Sequence, residues 1–253
     1  MLLYTGDSED QRVAEMIYRE LLRERPDDAA SNYRLSGILR EKGEFTEALE
    51  RLARALDMVE RGEDGVITTD HWIYDEIRRV FGTTYWRMSQ AEGIDKQKQR
   101  ELLAKAIEHS YDVVRKPADP DFRLSAINDS LYYNWEFLNL AEGEQSLIEE
   151  QELEELRNLL YDHYQNEKAN SDNLGWHWLD TLARLFSDDR AKVKEVALHF
   201  EQVIEQRVRI IKPALQLASR GSRQWNAQLS QILTKDEVDS LVFCQEILDE
   251  IGR

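Results

Sequence analysis

Ser31–Leu56, SNYRLSGILREKGEFTEALERLARAL, is the stretch whose spacing decides the fold. Leu35, Ile38 and Leu39 fall on one side of a helix, and Phe45, Ala48, Leu49, Leu52, Ala55 and Leu56 fall on one side of a second. Both sets have the spacing of a buried helix face. Gly43 stands between them as a helix stop. Two short helices this close must turn back on one another, and neither can hide its apolar side alone.

Working outward, the same phase recurs upstream. Ala14, Tyr18, Leu21 and Pro26 lie 34 residues before Ala48, Leu52, Ala55 and Glu60, and 34 residues is the tetratricopeptide period. A small residue at Ser36 after Leu35, followed by Leu39, Gly43, Phe45, Ala48, Leu52 and Ala55, resembles the tetratricopeptide repeat (TPR). Ser36 stands where the family has Gly and Leu39 where it has an aromatic residue, so this copy is degenerate. The resemblance implies an all-α fold: a TPR-like α-solenoid of antiparallel helical hairpins, a right-handed superhelix with C-terminal capping helices. Gln11–Arg25 is expected to be helical, with Pro26, Asp27 and Asp28 ending it and capping the next helix. Only Met1–Gly6 precede that helix, which makes the first helix of its repeat a stub.

Downstream, Thr68, Thr69 and Asp70 are candidate caps for a helix beginning near His71. Phe81-Gly82 with Tyr85 restores the family's apolar, small, aromatic signature on longer arms, continued by Leu103 and Ala106. A second copy follows 50 residues on: Phe81, Tyr85, Ala91-Glu92-Gly93 and Tyr111-Asp112 correspond to Leu131, Trp135, Ala141-Glu142-Gly143 and Tyr161-Asp162. Duplicated hairpins over Asp70–Val114 and Pro120–Tyr164 are therefore expected, with Tyr132 in place of Gly82. Leu174–Phe186 reads as an aromatic helix, followed by a long helix with a stripe from Val193 to Ile211 that Pro213 stops or kinks. Arg223–Leu233 and Lys235–Ile251 close the chain, the last opened by Thr234 and Glu237 at capping-box spacing. The division expected is residues 1–61 for degenerate repeats, 62–170 for two longer hairpins and 171–253 for a hairpin with capping helices.

Eleven Gly and four Pro in 253 residues leave few places to turn, against the roughly 7% and 5% that are usual. A formal net charge of −17 repels nucleic-acid phosphates and anionic membranes. The single cysteine, Cys244, excludes an internal disulfide framework and any cysteine-rich zinc site. No stretch reaches the roughly 18 apolar residues that span a bilayer, and Met1-Leu2-Leu3-Tyr4 lacks a signal peptide's basic lead. A cytoplasmic protein is expected, with neither membrane nor nucleic acid as partner. His71, His109, His163, His177 and His199 have neither zinc-helix nor di-iron spacing, and each is expected exposed or hydrogen-bonded on its helix. There is no phosphate loop and no nucleophile elbow, so no enzyme activity and no cofactor are expected. Asp162-His163, and Asp180 near His177 and Trp176, are the remaining places for one. The acidic run Glu149, Glu150, Glu152, Glu154 and Glu155 reads as a solvated helix start.

The resemblance places the first helix of each hairpin on a concave surface that binds peptides or helices. In phase with Leu35, Phe81 and Leu131, the inward residues would be Tyr33, Arg34, Gly37 and Arg40, then Arg79, Thr83, Trp86 and Arg87, then Asp129, Tyr133, Glu136 and Phe137. Arg79 has Asp75 one turn back to pair with, whereas Arg34 and Arg87 have no acid three or four residues away. Arginine beside Tyr or Trp is the combination enriched at binding hot spots. The alternative is that neighbouring repeats supply carboxylates for these arginines. The expected function is a non-catalytic scaffold that binds a peptide or helical segment through Trp86, Tyr133 and Phe137, with Arg34 and Arg87 setting register. A second reading is a regulatory or sensor region of a larger signalling or defence protein.

Overall fold

Helix-period apolar stripes with few breakers fold here as helices throughout. The computed structural model describes residues 8–62, 67–140, 145–168, 176–211 and 235–251. They form ten helices: α1 (Ser8–Glu24), α2 (Ala29–Glu41), α3 (Phe45–Arg61), α4 (Trp72–Ser89), α5 (Lys96–Arg115), α6 (Pro120–Asn139), α7 (Glu150–Glu167), α8 (Trp176–Leu185), α9 (Arg190–Ile211) and α10 (Lys235–Ile251). No strand occurs among the described residues, so the fold class is all-α as expected. The chain divides into two compact units, Met1–Glu149 and Glu150–Arg253. The boundary falls between the two helices expected to form the second long hairpin.

In the first unit each helix from α1 to α6 packs on the next. Asp28 caps α2 by accepting from the Ser31 N–H at 2.7 Å, and Gly43 takes φ 77° after α2 as its stop. The cap of α4 differs from expectation. His71 holds that position, its Nδ1 accepting from the Ile73 N–H at 3.2 Å, while Thr68 and Asp70 hydrogen-bond to each other. Leu35, Leu39 and Ala48 are buried together with Leu22, against Tyr18 of α1. Leu52, Ala55, Met58 and Val59 join Ile77, Val80 and Phe81 in the next cluster. Each leucine so buried contributes about 1.5–3 kcal/mol.

Gly82 explains the closeness of α4 and α5. A Cβ there would lie 2.3 Å from Ser110 Oγ and 2.9 Å from the Ala106 carbonyl oxygen. Beside it His109 stacks on Phe81, at 4.9 Å between ring centroids, and on Tyr85 at 5.5 Å. The expectation of an exposed or hydrogen-bonded His109 is corrected: two rings half-bury it. Burial pushes its pKa down, against a smaller upward pull from Glu108 and Asp112, with Lys105 and Arg78 adding to the fall.

In the second unit α8 packs on α9, and both meet α10. Val193, Val196, Ala197, Phe200 and Ile204 bury the α9 stripe as expected. Asp189 caps that helix, accepting from the Ala191 and Lys192 N–H groups at 3.1 and 3.2 Å. Glu195 on α9 gathers the Tyr161 hydroxyl and Gln165 of α7, and Lys168 just after that helix, at 3.0, 3.2 and 2.7 Å. Burial and the bond to Glu195 push the Tyr161 phenol up to about 12. Pro213, Arg223–Leu233 and Thr234 lie outside the described residues.

Replacing Gly82 with Ala gains roughly 1 kcal/mol of helix propensity but incurs about 1–3 kcal/mol of overpacking. The urea midpoint of Gly82→Ala is therefore expected to fall; a rise would mean that α5 yields at Ala106. The lowered pKa of His109 sets a second expectation. The unfolded chain takes up that proton near pH 6.5 while the folded chain still resists it, so stability is lost as pH falls through that region. His109→Phe is expected to flatten the dependence of stability between pH 7.5 and 5.5, and profiles that run parallel would refute the assignment.

Candidate functional site

Three helices in the first unit meet on alternate turns of the chain: α2 packs on α4, and α4 on α6. Side chains bond across both contacts, and between α4 and α6 they do so in a parallel register. The Tyr33 hydroxyl donates to Glu76 at 3.2 Å. Arg79 donates to Asp129 at 2.7 Å, the Tyr133 hydroxyl to Thr83 at 3.4 Å, and the Trp86 indole N–H to Glu136 at 2.9 Å. Each of these last three pairs is 50 residues apart. The offset that relates Phe81 to Leu131 in the sequence is thus the register in which α4 stacks on α6, so equivalent positions of the two copies face one another.

Between α2 and α4 lies a cleft of about 440 Å³. Six of the residues expected to face inward line it: Tyr33, Arg34, Gly37, Arg40, Arg79 and Thr83. Gln11, Ile38, Glu41, Glu76 and Val80 also line it, and the sequence reading placed none of them there. Glu76 was within reach of the i, i+3 rule from Arg79. Gln11 comes from α1, and no local spacing points to it. Burial and the neighbouring Glu76 carboxylate push the Tyr33 phenol well above its ordinary value.

The three cleft arginines are not equivalent. Arg79 pairs with Glu76 at 2.9 Å and Asp129 at 2.7 Å, and the expected partner Asp75 is corrected. Asp75 is wholly buried on another side of α4, where it accepts from Arg78 at 3.1 Å and from the Ala118 and Asp119 N–H groups at 2.6 and 2.8 Å. Arg40 pairs with the adjacent Glu41 at 3.1 Å. Arg34 lies over the Tyr33 ring at 5.2 Å and forms no ion pair among the described residues. Beyond the cleft Arg87 sits over the Trp86 ring at 5.1 Å and is otherwise engaged.

At α6 the groove closes. Tyr133 and Phe137 are 3% and 2% exposed, so neither offers apolar area to a ligand, and their expected role is corrected. The in-register approach of α6 to α4 stacks Tyr133 on Trp86 at 5.9 Å, and Arg100 covers Phe137 at 5.4 Å. Asp129 and Glu136 are taken by Arg79 and Trp86. Tyr33 and Trp86 remain only partly buried.

Gly37 needs its own account. Its φ is not positive, and a Cβ added to it would meet no atom within 4 Å. A glycine inside a helix costs about 1 kcal/mol against alanine. Gly82 offsets that cost by letting α5 approach, and Gly43, Gly62 and Gly93 by their positive φ. Gly37 has neither compensation and faces the cleft.

In the second unit Asp180 is buried and bonded to Arg184 at 2.9 Å. Burial raises its carboxyl, and Arg184 pulls it back. Cys244 is buried as well, which pushes its thiol far above the reactive range. Among the described residues no three His, Cys, Asp or Glu side chains gather as a metal site. None of the described helices is long and apolar enough to cross a membrane. Comparison with protein-family models, curated proteins and solved structures found no match to the chain.

The Arg79–Asp129 bond is testable by a double-mutant cycle. Arg79→Met and Asp129→Asn are each expected to cost about 1.5–3 kcal/mol, the range for hydrogen bonds to charged groups. The double variant should fall short of their sum by more than about 0.5 kcal/mol. Strict additivity in chemical denaturation would show that the two helices do not depend on this contact.

Proposed function

We propose that the chain is a non-catalytic protein-interaction scaffold, a TPR-like solenoid whose α2–α4 face receives an extended peptide or a helical segment of a partner. The observation that carries this reading is the unequal fate of the groove. In-register bonding consumes the α4–α6 side, whereas the α2–α4 side keeps an open cleft edged by Arg34 and Tyr33. The parallel stacking of α2, α4 and α6 is what a repeat array requires, each unit burying the face of the next. Arginine beside partly exposed aromatic rings provides bidentate donors next to flat apolar area, the chemistry of hot spots.

The net charge of −17 speaks against nucleic acid as the partner. A chain with one buried thiol suits the reducing cytoplasm, and the interaction itself needs no cofactor.

The reading is tested by capturing partners from an extract of the source cell on the full chain and on the Arg34→Glu, Arg87→Glu double variant. Proteins retained by the wild type are expected to drop at least tenfold on the variant, with the melting temperature unchanged. Identical capture by both would remove this face from the function. A fall in melting temperature would instead assign the two arginines to the fold.

A further inference from the structure

Gly37 and Arg34 stand one turn apart on α2 and border the same cleft. We propose that this cleft seats the main chain of an extended acidic segment, its backbone passing over Gly37 and one of its carboxylate side chains paired with Arg34. The inference rests on the scaffold reading and goes beyond it by naming the ligand chemistry.

Each part of the cleft contributes a reason. A helix-interior glycine with ordinary φ and empty space before it leaves room for a second backbone to come close. Any larger residue would stand in that path. Arg34 is the cleft arginine with no carboxylate partner among the described residues, while Glu41 and Glu76 are already bonded to Arg40 and Arg79. Arg79 is met by two carboxylates, Glu76 and Asp129, and Arg40 by Glu41, so Arg34 is the cleft guanidinium left to take a further carboxylate. The side chain of Gln11 makes no hydrogen bond among the described residues, and its amide both donates and accepts, as a bound peptide group requires. A volume of about 440 Å³ lies within the range of ligand clefts.

The chain's net charge of −17 opposes an acidic ligand at a distance. Screening over about 10 Å at 0.1 M salt removes most of that repulsion and leaves a contact pair in place.

The probe is a phage-displayed library of random dodecapeptides panned on the full chain at 0.15 M salt, with selected peptides resynthesised and measured by fluorescence anisotropy. Selected peptides are expected to share an acidic residue. Their affinity should fall at least tenfold on Gly37→Leu and on Arg34→Glu, and the Arg34→Glu chain should select basic peptides instead. Gly37→Ala serves as the folding control and should melt roughly 2–4 °C higher, since its Cβ meets nothing. Peptides that bind but keep their affinity on both variants would overturn the cleft assignment and leave the scaffold reading standing. Selection of no peptide at all would overturn the extended acidic ligand, whereas the scaffold reading falls only if capture of partners is unchanged by Arg34→Glu with Arg87→Glu.

Discussion

The charged bond between Arg79 and Asp129, with Glu76 closing it from the same helix, is the constraint on which the first unit turns. A guanidinium only partly exposed to water must be met by carboxylates, and two of them meet it here from different helices. Once α4 and α6 are held at that level, Thr83 must face Tyr133 and Trp86 must face Glu136. The 50-residue offset seen in the sequence is thus also the spacing of the bonds between α4 and α6, which set a donor on one helix against an acceptor on the other.

The same register explains why the open cleft is smaller than the set of residues expected to face inward. The closeness of α4 and α6 folds the rings of Tyr133 and Phe137 into the core. Between α2 and α4 the direct link is lighter, a Tyr33 hydroxyl on Glu76. There the helices leave a cleft of about 440 Å³, bordered by Tyr33 and Arg34.

Elsewhere carboxylates are held by their neighbours. Asp75 joins an arginine to the turn before α6, the half-exposed Glu195 collects Tyr161, Gln165 and Lys168, and Asp180 is closed off by Arg184. Buried carboxylates such as Asp75 and Asp180 are often taken for catalytic groups. Here each has its hydrogen-bond partners accounted for, and the rings beside His109 treat it as an apolar surface.

Among the described residues, helix positions, the faces they bury and the Asp28 cap were legible in the sequence, because periodicity and capping depend on neighbours within one or two turns. The inward list for α2 and α4 was legible for the same reason, and six of its residues meet in one cleft. Which arginines were already paired was not. With 50 acidic residues in the chain, every arginine has many prospective partners. Only the level at which one helix stacks against another chooses among them, giving Arg79 to Asp129 and leaving Arg34 over Tyr33. The different fates of Gly37 and Gly82 were equally hidden, since a glycine's purpose lies in what occupies the space its side chain would have filled, and that space belongs to the tertiary structure.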